Sequence, residues 1–76
     1  MFFVKSVITR GTKEEDIVRA ARLLAGHDQR TLFVLQPASG AFAPEPMELL
    51  RFQHLSLALL EDVRVIPQIH KMLGIP

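Results

Sequence analysis

The sequence predicts an α/β fold: a parallel three-stranded sheet built in the order β-α-β-α-β, followed by a short C-terminal helix. Three observations carry this. Three short runs rich in β-branched and aromatic residues alternate with two stretches whose apolar residues recur at helical spacing. The middle run, Leu32 to Leu35, is apolar without interruption, as suits a strand covered on both faces. Finally, strands separated by helices of this length imply parallel pairing through right-handed crossovers.

Phe2 to Thr9 reads as the first strand, with Phe3, Val4, Val7 and Ile8 supplying β-favouring bulk. Gly11 makes the turn that follows. Thr12 and Glu15 have the spacing of a capping box, and Glu14 and Asp16 place negative charge where a helix dipole favours it. Ile17, Ala20, Ala21 and Leu24 then mark one helix face, Arg19 and Arg22 the outer one, and Gly26 is the expected stop. The second strand is "TLFVLQP", ended by Pro37. The loop "ASGAFAPEP" leads into a second helix that opens near Pro46, a residue suited to a first helical turn, and runs to about Leu60. Val63 to Ile66 is the third strand, closed by Pro67, which lacks the donor a ladder needs. A final helical turn spans Gln68 to Leu73 and ends at Gly74.

Seventy-six residues with 49% hydrophobic content describe a single α/β unit near the lower size limit for a self-sufficient core. Nine basic residues scattered along a chain of net charge +1 give no electrostatic footprint for nucleic acid, so no nucleic-acid partner is expected. The absence of cysteine removes disulfides, thiolate metal sites and cysteine nucleophiles. The opening "MFFVKSVITR" has neither the basic start nor the small-residue cleavage site of a signal peptide. No stretch reaches the roughly 18 apolar residues of a membrane span. A cytoplasmic protein without a membrane partner is the expectation.

The second helix is apolar on more than one side. Met47, Leu50 and Leu57 form one stripe, and Leu49, Phe52 and Leu59 another. A three-stranded sheet in the order 1-2-3 would carry both crossover helices on one face and leave the other bare. Both features call for further cover, from another part of a larger protein or from a second copy of the chain.

In parallel β/α units, ligands meet the carboxyl ends of the strands. Here those ends carry Thr9 and Arg10, then Gln36, then Gln68 and His70. Ordinary loop residues would look the same by spacing alone. His70 could bind a carboxylate or carbonyl, or serve a structural purpose, and His27 and His54 have no neighbours at metal-ligand spacing. No glycine-rich phosphate loop, nucleophile elbow or zinc-protease motif is present, and no residue is assigned a catalytic or metal-binding role.

The ending "VRVIPQIHKMLGIP", together with "FVLQPAS" and "FVKSVITRGTKEED", resembles the carboxy-terminal third of the radical S-adenosylmethionine family of 7-carboxy-7-deazaguanine synthases. Full-length members of that family fold as a partial β/α barrel and usually act as homodimers. They rearrange a 6-carboxy-tetrahydropterin on the way to 7-deazapurines such as queuosine. The resemblance implies S-adenosylmethionine, a 4Fe-4S cluster and magnesium as cofactors of the full-length family.

Position by position, the resemblance assigns substrate contact to His70 and to the terminal carboxylate of Pro76, places Gln68 within the same motif, and sets Gln36 on the S-adenosylmethionine side. The cluster-binding cysteine triplet and the glycine-rich methionine-binding segment of the family have no counterpart in the 76 residues. Ile69 stands where family members commonly have threonine, and Ser6 where they more often have valine. No cofactor is expected on this chain alone, and it is expected to be inactive alone. The expected partner is the upstream part of the same enzyme or a separate partner chain, within a homo-oligomer. Two other readings are a small non-catalytic module derived from that barrel, oligomerising through its bare sheet face, and an unrelated flavodoxin-like binder of small anions.

Overall fold

The computed structural model describes residues 3–66. β1 (Phe3–Ile8), α1 (Glu14–His27), β2 (Leu32–Pro37), a 3₁₀ turn (Gly40–Phe42), α2 (Pro46–Leu57) and β3 (Asp62–Val65) follow in chain order. The strands form one sheet in the order β1-β2-β3, and both pairs are parallel. The predicted α/β class and its β-α-β-α-β order are therefore present. The expected short helix after Gln68 lies outside the described residues.

Register and burial show which face the helices cover. Val4, Phe33 and Val63 stand side by side across the sheet, as do Ser6, Leu35 and Val65. Phe33, Leu35, Ile8 and Val63 join Ile17 and Ala21 of α1 and Phe52 of α2 in one buried cluster. Both helices thus sit on the same face, as two right-handed crossovers in a 1-2-3 sheet require. Alternation of side chains sends Phe3, Lys5 and Val7, Leu32, Val34 and Gln36, and Asp62 and Arg64 to the other face. There Phe3 is 53% and Val7 56% exposed, whereas Val34 on the central strand, between Lys5 and Arg64, is only 4% exposed.

The local devices differ in part from the expected ones. Lys13, with no side-chain cap, precedes α1, and the expected capping box from Thr12 to Glu15 is not formed. The Thr12 hydroxyl instead accepts the backbone N–H of Thr9 at 2.9 Å. The acidic first turn of Glu14, Glu15 and Asp16 still complements the helix dipole. Gly26 does not stop α1. The helix continues to His27, and Asp28 closes it by donating its N–H to the Leu24 carbonyl at 2.8 Å. Arg19 and Arg22 are exposed, as expected.

α2 begins at Pro46 as anticipated but ends at Leu57 rather than near Leu60. Leu59 and Leu60 leave the helix and turn inward: both donate their N–H to the Ser56 carbonyl, and Leu60 is buried. The two apolar stripes separate as their spacing indicated. Phe52 is buried with Leu49 and Leu59 packed around the core, while Met47, Leu50 and Leu57 remain exposed. Glu14 of α1 and Arg51 of α2 form an ion pair that bridges the two helices at the surface.

Candidate functional site

The carboxyl ends of the strands form one edge of the sheet, and the backbone there is held at several points. Ala38 donates to the Ile8 carbonyl at 2.8 Å and Ile66 to the Leu35 carbonyl at 3.0 Å, so the pairing extends one step past the regular strands. Pro37 lies at the end of β2, where its missing N–H fits the end of the ladder. The loop after β2 folds back over β1: Arg10 donates its N–H to the Phe42 carbonyl at 2.9 Å. Gly40, at φ 73°, allows the tight 3₁₀ turn that makes this return possible, a backbone conformation side-chain-bearing residues rarely adopt.

Thr9, a predicted strand-end group, is largely committed to its own turn. Its N–H goes to the Thr12 hydroxyl, its carbonyl accepts from Thr12 N–H at 3.1 Å, and its hydroxyl oxygen accepts from Gly11 N–H at 3.2 Å. The two threonine hydroxyls are 3.4 Å apart. With Thr12 Oγ1 already accepting, its proton can point to Thr9 Oγ1, which leaves the Thr9 hydroxyl proton as the turn's spare donor. Arg10 is exposed beside it.

Gln36 is the other predicted group within the described residues. It is half-buried at the carboxyl end of β2, on the sheet face away from the helices, with Val7 of β1 as its cross-strand neighbour. Its side-chain amide makes no hydrogen bond among the described residues, so both donor and acceptor remain available to a ligand. Gln68, His70 and Pro76 lie outside the described residues. The chain enters that segment from Ile66, directly beyond the end of β3 on this same edge.

Among the described residues, a surface hollow lies elsewhere. It is an open groove along α2 lined by Met47, Leu50, Arg51, Gln53, His54 and Leu57. α2 belongs to the helical layer, whereas Gln36 faces the opposite side of the sheet, so the groove and the strand-end groups do not form one site. His27 and His54 are both exposed. Among the described residues, no three His, Asp or Glu side chains gather as a metal site would require. The chain also has no cysteine, so its donor set does not fit an iron-sulfur cluster. Among the described residues, no helix is long and apolar enough to cross a membrane.

Two features of this region escaped the sequence reading. One is the return of Phe42 over β1, for which the signal was the glycine of "SGAF". The other is Gln53, whose Nε2 donates to the Val63 carbonyl at 3.0 Å. A glutamine in the middle of a helix carries no sequence signal for that contact.

No protein-family model matches the chain, and no solved structure matches it. Among curated proteins, it is similar to 7-carboxy-7-deazaguanine synthase of Geobacter sulfurreducens, with 33% identity over 75 residues. The alignment takes in 95% of this chain and 30% of that protein. The chain therefore spans somewhat less than a third of the length of the curated relative it matches.

Proposed function

We propose that this chain is the substrate-pocket segment of a 7-carboxy-7-deazaguanine synthase, the part that carries the carboxyl ends of its last strands. In this reading, His70, Gln68 and the Pro76 carboxylate contact the 6-carboxy-tetrahydropterin, and Gln36 contacts S-adenosylmethionine. Similarity to the Geobacter sulfurreducens synthase over nearly the whole chain is the observation that carries it. The unspent amide of Gln36 at the strand-end edge supports it, because ligands of parallel β/α folds meet that edge.

The segment does no radical chemistry alone, since it has no thiolate with which to hold the cluster. The cluster and the glycine-rich segment come from the remainder of the enzyme, in the same chain or a partner, and the assembly is a cytoplasmic homodimer. The test is complementation. The chain is co-expressed with the Geobacter sulfurreducens synthase from which the aligned region has been deleted, and binding of 6-carboxy-tetrahydropterin is measured by calorimetry. Saturable binding that His70→Ala weakens is the expected result; no binding by the assembled proteins would overturn the reading.

A second reading is favoured by the apolar side chains left exposed, Phe3 and Val7 on the sheet face away from the helices and Met47, Leu50 and Leu57 on α2. It makes the chain a non-catalytic module that buries its apolar faces against its own kind. Sedimentation of the isolated chain separates the two: a stable dimer supports the module, while a loose monomer or aggregate supports the enzyme segment.

A further inference from the structure

The sheet face turned away from the helices holds two cations, and they are not equivalent. Register sets Lys5 of β1, Val34 of β2 and Arg64 of β3 in one row across that face. The two charges stand at opposite ends of the row, roughly 10 Å apart at the Cα atoms, two strand spacings. Between them Val34 is buried, and Phe3, Leu32 and Val7 extend the apolar floor around it. Arg64 has its own counter-charge: its Nε and Nη2 donate to the two Asp62 carboxylate oxygens at 3.1 and 3.2 Å. Lys5 has no ion-pair partner among the described residues.

Exposed Phe3 and Val7 call for cover on this face, and cover takes water away from both cations. Arg64 then keeps Asp62 beside it, whereas a desolvated Lys5 without a partner is strongly unfavourable. Whatever covers the face therefore brings a negative group to Lys5. Gln36 indicates its source. It lies on the same face, one strand over and one row towards the carboxyl ends, so that its Cα is roughly 8 Å from that of Lys5. Its side-chain amide also has no hydrogen-bond partner among the described residues. An unspent amide and an unpaired ammonium converging on an apolar floor are the pattern of a small-molecule pocket. We propose that Lys5 is a specificity-determining residue, whose ammonium binds the carboxylate of a ligand seated on this face beside Gln36. This rests on the proposed function, in which S-adenosylmethionine and the pterin each carry such a carboxylate.

The test uses the full 76-residue chain assembled with the Geobacter sulfurreducens synthase lacking its aligned region, and calorimetry with S-adenosylmethionine and with 6-carboxy-tetrahydropterin. Lys5→Met keeps the aliphatic stem and removes the charge, and Lys5→Arg keeps the charge. Lys5 is exposed and lies outside the buried cluster, so both variants should keep the fold, which circular dichroism checks. Lys5→Met should weaken one of the two ligands by at least roughly tenfold, and Lys5→Arg should restore most of that affinity. The ligand that suffers the loss is the one whose carboxylate Lys5 holds. Arg64→Met, at the other end of the row, should leave both affinities unchanged.

Ligands without the carboxylate separate this contact from a structural effect. Decarboxylated S-adenosylmethionine, or a tetrahydropterin lacking the carboxyl group, should bind the Lys5→Met and unaltered assemblies equally. Unchanged affinity of Lys5→Met for both carboxylate ligands overturns the proposal, as does an equal loss for the carboxylate-free forms or for Arg64→Met. Failure of Lys5→Met to assemble would assign the negative group to an acidic side chain of the remainder, which overturns the ligand contact and leaves the proposed function standing. If the unaltered chain neither assembles nor binds either ligand, both fall.

Discussion

The side-chain amide of Gln53 in α2 donates to the backbone carbonyl of Val63 in β3 at 3.0 Å, joining a helix to the strand edge beside it. The bond ties α2 to the sheet at a point where an unpaired carbonyl would otherwise face outward. Gln53→Leu should therefore cost about 0.5–1.5 kcal/mol, the net worth of a typical intramolecular hydrogen bond. Urea denaturation checks the loss of stability. Sedimentation of the same variant should show increased self-association, because the β3 edge is then uncovered.

Ser56 is fully buried in α2, and its hydroxyl has no hydrogen-bond partner among the described residues. Burying an unpaired hydroxyl is unfavourable, so Ser56→Ala should be neutral or stabilising by up to about 1 kcal/mol. Thermal unfolding of the two proteins checks the sign. A clear loss of stability would mean that the hydroxyl is satisfied in solution, for instance by an enclosed water.

Phe33 and Phe52 are the largest fully buried side chains, one from the central strand and one from the helix above it. Either residue changed to alanine should cost about 3–5 kcal/mol, through lost burial and the cavity left behind. A domain of this size has a total stability of only about 4–11 kcal/mol. Phe52→Ala is thus expected to leave the chain largely unfolded at 37 °C, which far-UV circular dichroism would detect.

Met47, Leu50 and Leu57 contribute little to the fold of the isolated chain, since they stay 76%, 58% and 45% exposed. Leu50→Lys should change stability by less than about 0.5 kcal/mol while improving solubility. Denaturation midpoints and light scattering, measured together, separate the two effects. A large stability loss would show that this stripe is covered in solution.

Asp28 accepts the Arg30 backbone N–H at 2.9 Å and the Arg30 guanidinium Nε at 3.2 Å. The backbone bond first, and the guanidinium second, hold the Asp28 carboxyl below its ordinary value. A group depressed in the folded state stabilises fully above its unfolded pKa, about 3.9 for aspartate, and loses that contribution as pH falls through the lower folded value. NMR titration should place the Asp28 midpoint below the usual aspartate value. Asp28→Asn should flatten the pH dependence of stability only in that acidic window. The pair lies at the solvent-exposed surface, so the effect is expected to be small.

The position of Gln36 was legible because its signals are local. The apolar run Leu32 to Leu35, followed by Gln36 and Pro37, announces a strand end with a polar group on it. The face on which Gln36 lies depends on register, which pairs it with Val7 and turns both from the helices. For His70, Gln68 and Pro76, the recurrence of a whole motif carried the assignment, and they lie outside the described residues.

By itself, the sequence determined the order β-α-β-α-β, the parallel sense of the sheet and the two apolar stripes of α2, whereas the fold decided that the stripe with Phe52 is the buried one. These follow from hydrophobic period and connection length, which are written into short stretches of chain. Only the tertiary structure decided the competition among partners. Thr12 had two uses within reach, capping α1 or saturating the outward N–H of Thr9, and the folded turn selected the second. Gly26 could have ended α1, yet the helix ran on to a closure at Asp28. Gln53 found the Val63 carbonyl because packing α2 on the sheet brought the two together. Such choices depend on distances between residues far apart in sequence, and these exist only once the chain has folded.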